Sequence, residues 1–238
     1  MNKRVLLICT AVAFFCLVSN SVAVENALGI KGGIGLNNVY GDGTDLLETS
    51  PSLGFAGGAF YELGISDPFS IQFEVLFSMK GYKFEVPDLG FSNVYGFDSD
   101  FDFDFDSDFD SDFDMGMGMD GEFTIRMNYL EIPVLFKFNI PTTGAMTPFL
   151  YAGPSFGFLL SSKVVFDGES EDAEGHSSFD LSIPVGAGFQ VDAGPGRFIT
   201  DARFSLGLLN TSDEDESDDY PVKNMQLFNI MVGYALLF

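Results

Sequence analysis

Aspartate stands at every second position from Asp98 to Asp114, in the stretch DSDFDFDFDSDFDSDFD, with Phe or Ser between the acids. Carboxylates at this spacing offer the oxygen ligands that calcium takes in proteins, about six to eight for each ion. The run lacks the central glycine and trailing glutamate of an EF-hand loop, so its match to that motif is weak. We expect weak attraction of cations along the run and no resident cofactor; an ordered calcium site is the alternative. The candidate calcium ligands are Asp104, Asp106, Asp108, Asp110 and Asp112.

Two further stretches hold residue types that could do chemistry. His176, the only histidine, lies in AEGHSSFD near Ser177 and Asp180, so a Ser/His/Asp set is nominally present. The roles in such a triad depend on geometry rather than on nearness in sequence. A solvated loop histidine is the simpler interpretation, and no catalytic residue is predicted. The run MGMGMDG (115–121) offers thioethers to copper, but its glycines are more typical of a flexible return of the chain.

The formal charge of −24 is concentrated in four segments of the sequence. Residues 38–51, 84–123, 163–178 and 210–224 hold most of the 35 acidic residues, and the chain between them is apolar and rich in glycine. A strongly anionic protein repels nucleic acid and anionic lipid headgroups. Nucleic acid is therefore excluded as a partner, and divalent cations or basic surface proteins are the partners that the charge favours.

The first 23 residues have the organisation of a secretory signal peptide. Lys3 and Arg4 form the basic start, residues 5–18 form the apolar centre, and the predicted cut follows Ala23. The apolar run is shorter than the about 20 residues that a membrane-spanning helix needs. Both cysteines lie in this segment, so the mature chain, 24–238, is expected to hold neither a disulfide nor a thiol nucleophile.

Apolar and polar residues alternate with period two over stretches of about ten to fourteen residues. Strands in ordinary globular proteins are mostly about five or six residues long, so these stretches are unusually long. In 225–238, Phe228, Ile230 and Val232 share a bulky apolar face, and the opposite face is small and mixed. The same pattern predicts strands at 69–81, 129–138 and 197–209, and more loosely at 27–37, 52–63, 147–161 and 179–192. The sequence thus predicts eight strands.

The connections between these strands alternate in length, which favours a transmembrane barrel. Those at 64–68, 140–146 and 193–196 are short and carry Pro or Gly, whereas the four acidic segments are long. Outer-membrane barrels divide their connections in this way between short periplasmic turns and long outer loops. We predict an all-β fold, an eight-stranded antiparallel up-and-down transmembrane β-barrel, closed because a sheet in hydrocarbon cannot leave an edge unpaired. A soluble β-sandwich with a polar face toward water is the alternative.

Aromatic side chains recur on the outward face near the short-turn end of seven strands. Such a row is typical of a girdle at the membrane interface. The predicted girdle residues are Tyr61, Phe69, Phe138, Phe149, Phe189, Phe198 and Phe238.

Charged residues on the predicted inward faces are balanced in sign. They are the acids Glu62, Glu74, Glu131 and Asp201 and the bases Lys31, Lys80, Lys137 and Arg203. An eight-stranded barrel has room inside for little more than side chains, and an unpaired charge there is costly. We predict interior salt bridges among these residues, and a path for protons or ions is the alternative.

Three stretches resemble a known family. They are NYLEIPVLFKF (128–138), the glycine-rich YAGPSFGFLL that follows, and the terminal GYALLF. With the predicted signal peptide, they resemble the PorT-like outer-membrane β-barrel family over about 24–238, and Phe238 is similar to the terminal signal by which such barrels are recognised for assembly. The resemblance implies an eight-stranded barrel in the outer membrane of a Gram-negative bacterium. It implies no single activity and says nothing of the acidic run.

A filled barrel with acidic outer loops favours a non-enzymatic role, in envelope structure or in surface interaction. Outer-membrane lipid and the barrel-assembly machinery are then expected partners. A small pore or a component of a secretion apparatus is the alternative from the transport class, and a rim enzyme acting on lipid or peptide is a third. Fold alone does not decide between them.

Overall fold

The computed structural model describes residues 25–40, 49–86, 121–166, 169–173, 176–210 and 223–238. Within these ranges, the regular elements are β-strands, and no helix is long and apolar enough to cross a membrane. The strands are β1 Ala27–Tyr40, β2 Thr49–Ser66, β3 Phe69–Val86, β4 Gly121–Asn139, β5 Met146–Ala152, β6 Ser155–Phe166, β7 Glu169–Asp172, β8 Phe179–Ala193, β9 Gly196–Gly207 and β10 Lys223–Leu237.

Eight strand positions close into a ring. Hydrogen-bonded neighbours follow the order β3, β2, β1, β10, β9, β8, then β5 continued by β6, then β4, which pairs back with β3. All of these pairings are antiparallel. Closure lets each strand of the ring pair on both sides, as a sheet in hydrocarbon requires. The predicted eight-stranded barrel is confirmed.

β5 and β6 are two halves of one barrel strand, separated at Gly153 and Pro154. Their register against β4 and against β8 does not shift across the break. Proline has no N–H to give to a ladder, so the regular pairing pauses there, although the Pro154 carbonyl still accepts from the Val134 N–H at 2.8 Å. The strand predicted at 147–161 is therefore interrupted, and it runs on to Phe166.

Three short turns join the strands at one end of the barrel, at 67–68, 140–145 and 194–195. Each lies within a predicted short connection, although β2 continues two residues past the predicted start of the first turn, to Ser66. Gly194 has a φ of 65°, a left-handed conformation that glycine adopts without steric cost. The backbones of Asn26 and Phe238 hydrogen-bond to each other at 3.0 Å, which places both residues at this end of the ring.

At the opposite end, which the sequence predicts to be the outer one, several strands are longer than a membrane crossing requires. β2, β3 and β4 hold 18, 18 and 19 residues, whereas a tilted strand crosses the hydrocarbon core with about 9–11 residues. β6 also continues outward and returns as β7, which pairs with β6 outside the ring. The segment 163–178, predicted as a loop, therefore contains a β-hairpin. The strands also extend into the segments 38–51 and 84–123 that were predicted as loops.

Aromatic rings hold this outer extension together. Phe123 of β4 stacks on Phe84 of β3 with ring centres 5.3 Å apart, and on Phe166 of β6 at 4.5 Å. Below them, Met127 and Tyr129 are buried in a small apolar cluster. Stacked aromatic pairs contribute about 0.5–1.5 kcal/mol each beyond their buried area. Contacts between distant parts of the sequence thus prolong the sheet at this end.

The outward faces are apolar and exposed, as the predicted alternation requires. Phe69, Phe138, Phe189, Phe198 and Phe238 of the predicted girdle lie exposed on this surface near the short turns. Tyr61 shares the outward phase of β2, but it packs against Phe238, with ring centres 6.4 Å apart, and is largely covered.

The prediction for Phe149 is wrong, because its ring points into the barrel. Phe149 is 2% exposed and packs with Leu135 and Tyr151, whereas the adjacent Leu150 is exposed on the outward face. Side chains alternate strictly along a strand, so Phe149 shares the inward phase of Tyr151, whose hydroxyl has partners inside. A segment with apolar residues in both phases gives no indication of which face is inward.

Candidate functional site in the barrel interior

The eight charged residues predicted to face inward are all buried in the barrel. They form three tiers of ion pairs, which we name inner, middle and outer by their position between the short turns and the outer extension. The predicted interior salt bridges are confirmed.

The inner tier pairs Lys137 with Glu62. The Lys137 ammonium donates to one Glu62 carboxylate oxygen at 2.8 Å and to the Gln190 side-chain oxygen at 2.9 Å. The other Glu62 oxygen accepts from the Ser70 hydroxyl at 2.6 Å. Each charge therefore has polar partners beyond its counter-ion, which is the condition for a stable buried pair.

The middle tier is a network of two acids and two bases. Arg203 donates to both oxygens of Glu74 at 2.9 Å, and Lys31 lies 2.5 Å from the same carboxylate and 3.6 Å from Asp201. The Tyr151 hydroxyl accepts from Arg203 at 3.0 Å and donates to Asp201. Both bonds to Glu74 leave from the Nη2 atom of Arg203, and its Nε donates to Tyr151, so charge-assisted hydrogen bonds hold the guanidinium between two partners.

The outer tier sets one base between two acids. The Lys80 ammonium lies 2.6 Å from Glu131 and 3.1 Å from Asp180, and 5.0 Å from the centre of the Tyr129 ring. The inward position of Asp180 was not predicted, because Asp180 was considered only as a neighbour of His176. Its alternation with the buried Ser182 on β8 is the signal that could have found it.

Aromatic rings fill the space between the tiers. The centre of the Phe149 ring lies 4.2 Å from the Lys137 ammonium, and the centre of the Tyr151 ring lies 5.2 Å from the Arg203 guanidinium carbon. The centre of the Phe60 ring lies 5.8 Å from the Lys31 ammonium. Such cation–π contacts are stronger where water is excluded. The interior is therefore packed with side chains, as expected for eight strands.

His176 lies beyond the outer tier and contacts β6. Its Nδ1 is 3.3 Å from the hydroxyl of Ser162. Ser177 donates instead to the backbone carbonyl of Phe179 at 3.0 Å, and Asp180 accepts from Lys80. The serine nearest in sequence and the aspartate thus have structural partners of their own, and the serine that meets the histidine lies 14 residues away in the chain.

Residues 24–213 match the family described as outer membrane protein β-barrel domain. The chain belongs to this family. Its place is accordingly the outer membrane of a Gram-negative bacterium, with the apolar outward face against lipid. The match shows this broad family and does not show that the chain belongs to the PorT-like group.

Several solved outer-membrane barrels resemble this one over most of their length. Neisserial surface protein A is 14% identical with a TM-score of 0.44, covering 89% of this chain and 99% of its own. OprG from Pseudomonas aeruginosa is 12% identical with a TM-score of 0.48, covering 91% and 96%. Ail from Yersinia pestis is 17% identical with a TM-score of 0.36, covering 91% and 100%. Identities this low say nothing about function, and no curated protein sequence matches the chain.

The candidate calcium ligands of this outer-membrane barrel, Asp104 to Asp112, lie outside the residues that the structure describes. Calcium binding there stays a prediction. Within the described ranges, no three His, Cys, Asp or Glu residues come together as a metal-binding group.

Proposed function

We propose that this outer-membrane barrel is a non-enzymatic protein that presents acidic outer segments, with a role in envelope structure or surface interaction. The observation that supports this most is the packed interior, in which three tiers of ion pairs and aromatic rings fill the lumen. A barrel filled in this way anchors and orients the chain beyond its outer end. The PorT-like resemblance agrees with this proposal, since that group shares no single activity.

The acidic composition of the outer segments defines the partners that we propose. Divalent cations and basic surface proteins are attracted by a chain of net charge −24, and nucleic acid is repelled. The alternating acids at 98–114, which include the candidate calcium ligands Asp104 to Asp112, are the densest part of this charge. The other partners that we propose are outer-membrane lipid, which contacts the outward face, and the assembly machinery, which recognises Phe238.

The proposal is tested by replacing the nine aspartates of 98–114 with asparagine, which keeps the length and the phenylalanines. The refolded variant should lose the heat of calcium binding in calorimetry and the salt-dependent binding of polylysine. A control variant carries asparagine or glutamine at the acids of 210–224 and should keep most of both signals. Equal losses of calcium and polylysine binding in the two variants would mean that the acidic run acts only through the general negative charge of the surface. No calcium or polylysine binding by the natural protein would refute the proposal.

A further inference from the structure

Three basic side chains lie together on the outward face of the barrel, near its outer end. Lys83 is on β3, Arg126 on β4 and Lys163 on β6, and these three strands are neighbours in the ring. Arg126 and Lys163 are exposed, and Lys83 is half-buried. We call these three residues the basic patch. Because side chains alternate along a strand, their neighbours in sequence face the interior instead, at Tyr82, Met127 and Ser162.

The strand register brings the three bases close to one another. Arg126 lies directly opposite Lys163, and Lys83 lies opposite Thr124, the outward-facing residue two positions before Arg126 on β4. On one face of a sheet, opposite residues have Cβ atoms about 4.5–5.5 Å apart, and diagonal residues lie about 7–8 Å apart. Arg126 is therefore within reach of both lysines. Like charges directly opposite each other destabilise a pair of strands, and an anion between them would offset this repulsion.

The basic patch is an exception to the charge of the whole chain, which has 35 acidic and 11 basic residues. Two of the bases lie in the predicted signal peptide, and four are buried in the interior tiers. Three of the remaining five form the basic patch, and the other two are Arg197, near the short turns, and Lys223, on β10. The net charge predicts that anionic lipid headgroups are repelled, but these three bases give one part of the outward face positive charges.

The ion pair of Lys163 is of the exposed kind that a ligand can replace. Its ammonium lies 3.7 Å from Asp172, and the two side chains are 46% and 85% exposed. Exposed pairs contribute little to stability. Lys83 also has a contact within the protein, so the argument depends mainly on Arg126 and Lys163. A phosphate group has three strong acceptor oxygens and can therefore bind two of these bases at once.

The basic patch lies at the level of the lipid headgroups. On the same three strands, Leu130 lies opposite both Phe77 and Phe158, and these residues form an apolar outward row. Arg126 lies four residues further out than Leu130 on β4, with the uncharged Asn128 between them. Four residues span about 13 Å along a strand, or about 10 Å across the membrane after the usual tilt of about 35–45°. Headgroups add about 5–8 Å to each side of the hydrocarbon core, so the apolar row meets acyl chains where Arg126 reaches phosphates.

We propose that the basic patch binds a phosphate group of the glycolipid that forms the outer leaflet of the outer membrane. The Arg126 guanidinium donates hydrogen bonds to the phosphate oxygens, which its planar geometry matches. The ammonium groups of Lys163 and Lys83 add positive charge on either side, and acyl chains of the same lipid cover Phe77 and Phe158. The outer leaflet follows from the predicted orientation, with the long connections at the cell surface. The site is separate from the acidic outer segments and their partners, since its bases belong to the barrel wall.

The test measures the thermal midpoint of the full mature protein, refolded in detergent micelles, by its heat-modifiable gel mobility. The micelles are titrated with diphosphorylated lipid A, with the same lipid after its phosphates are removed, or with inorganic phosphate. EDTA is present throughout, so that divalent cations cannot bridge the lipid to the acidic segments. The midpoint should rise with diphosphorylated lipid A and then saturate, and neither of the other two additions should reproduce this rise. An equal rise with the dephosphorylated lipid, or with free phosphate at the same concentration, would refute the proposal.

Variants that keep every acidic segment locate the binding. Arg126→Gln should need about tenfold more lipid A for the half-maximal rise, as expected for the loss of one charge-assisted hydrogen bond. Arg126→Gln combined with Lys163→Gln should abolish the saturable rise. Without lipid, Arg126→Gln should not lower the midpoint, because it also removes the repulsion between opposite bases. A lower midpoint without lipid would instead indicate a structural role for Arg126.

Lys223→Gln is the matched control, because it removes the same charge at the same end of the barrel, on the strand that lies across the ring from β4. It should leave the half-maximal concentration of lipid A unchanged. The proposal fails if Lys223→Gln weakens the response as much as Arg126→Gln does, since binding would then follow the general positive charge. It also fails if the double variant responds to lipid A as the natural protein does.

Discussion

Two arginines of β9 differ in what surrounds their charge. Arg203 binds Glu74 through two hydrogen bonds, and the two side chains are 3% and 0% exposed. Arg197 binds Asp192 and Glu25, whose side chains are 69% and 54% exposed. Water can replace a lost partner at Arg197 but not at Arg203. A comparison of these two arginines therefore separates the effect of burial on stability from the effect of charge.

Arg203→Met should lower the free energy of unfolding by about 3–5 kcal/mol, because it leaves buried carboxylate charge with too few partners. Arg197→Met should cost no more than about 1 kcal/mol, as exposed ion pairs do. Urea unfolding of the refolded barrel in lipid vesicles, followed by tyrosine fluorescence, gives both values. Similar losses in the two variants would contradict the interior position of the middle tier.

At the scale of elements, the closest approach of β1 to β10 depends on Gly33. A Cβ on Gly33 would lie 1.9 Å from the carbonyl oxygen of Ile230. The preceding residue, Gly32, is on the outward face, and the nearest atom to its Cβ would be the Ala56 carbonyl oxygen at 3.6 Å. Adjacent glycines of one strand thus differ in whether the neighbouring strand leaves room for a methyl group.

Gly33→Ala should therefore destabilise the barrel by about 1–3 kcal/mol, the usual cost of overpacking. Gly32→Ala should change the free energy of unfolding by only a few tenths of a kcal/mol. The measurement is the urea midpoint of each variant, read from the gel mobility of the folded form. Tolerance of Gly33→Ala would mean that the two strands pair less closely than the structure has them.

The strands also show which features of the fold can be predicted from the sequence and which cannot. A charge in an apolar strand identifies the inward face, so Glu74 and Arg203 fixed the phase of their strands correctly. β5 has apolar residues in both phases, so Phe149 was assigned to lipid although the partners of Tyr151 turn it inward. The β6–β7 hairpin has a local signal that the loop prediction missed, since the dipeptide Asp167-Gly168 stands between the two strands. The stacking of Phe123 on Phe166, which joins β4 to β6, brings together residues that are far apart in sequence. Contacts of that kind leave no local periodicity to detect.

For the whole molecule, a packed lumen predicts that the barrel does not conduct. The middle tier alone places Lys31, Glu74, Asp201 and Arg203 in one hydrogen-bonded layer with Tyr151. Ions would have to break several buried pairs to pass, at a cost of several kcal/mol. The refolded protein in planar bilayers should therefore show no stable conductance steps above a protein-free control. Regular steps would favour the alternative of a small pore.

The two ends of the barrel also predict how the whole molecule is oriented in the membrane. The turn at 140–145 carries no charge, whereas the outer extension leads into the acidic segments. Charged, long connections belong on the cell surface and short turns in the periplasm. Thr143, in the turn, and Ser170, on β7, are both exposed. The only natural cysteines are Cys9 and Cys16, in the predicted signal peptide.

Ser170→Cys should react with a membrane-impermeant maleimide on intact cells, and Thr143→Cys should react only after the outer membrane is permeabilised. Both positions are exposed in the folded chain, so a difference in labelling on intact cells reports the membrane between them. Labelling of the purified variants in detergent confirms that both thiols are reactive. The reverse pattern on intact cells would place the acidic segments in the periplasm, where a role at the cell surface is impossible.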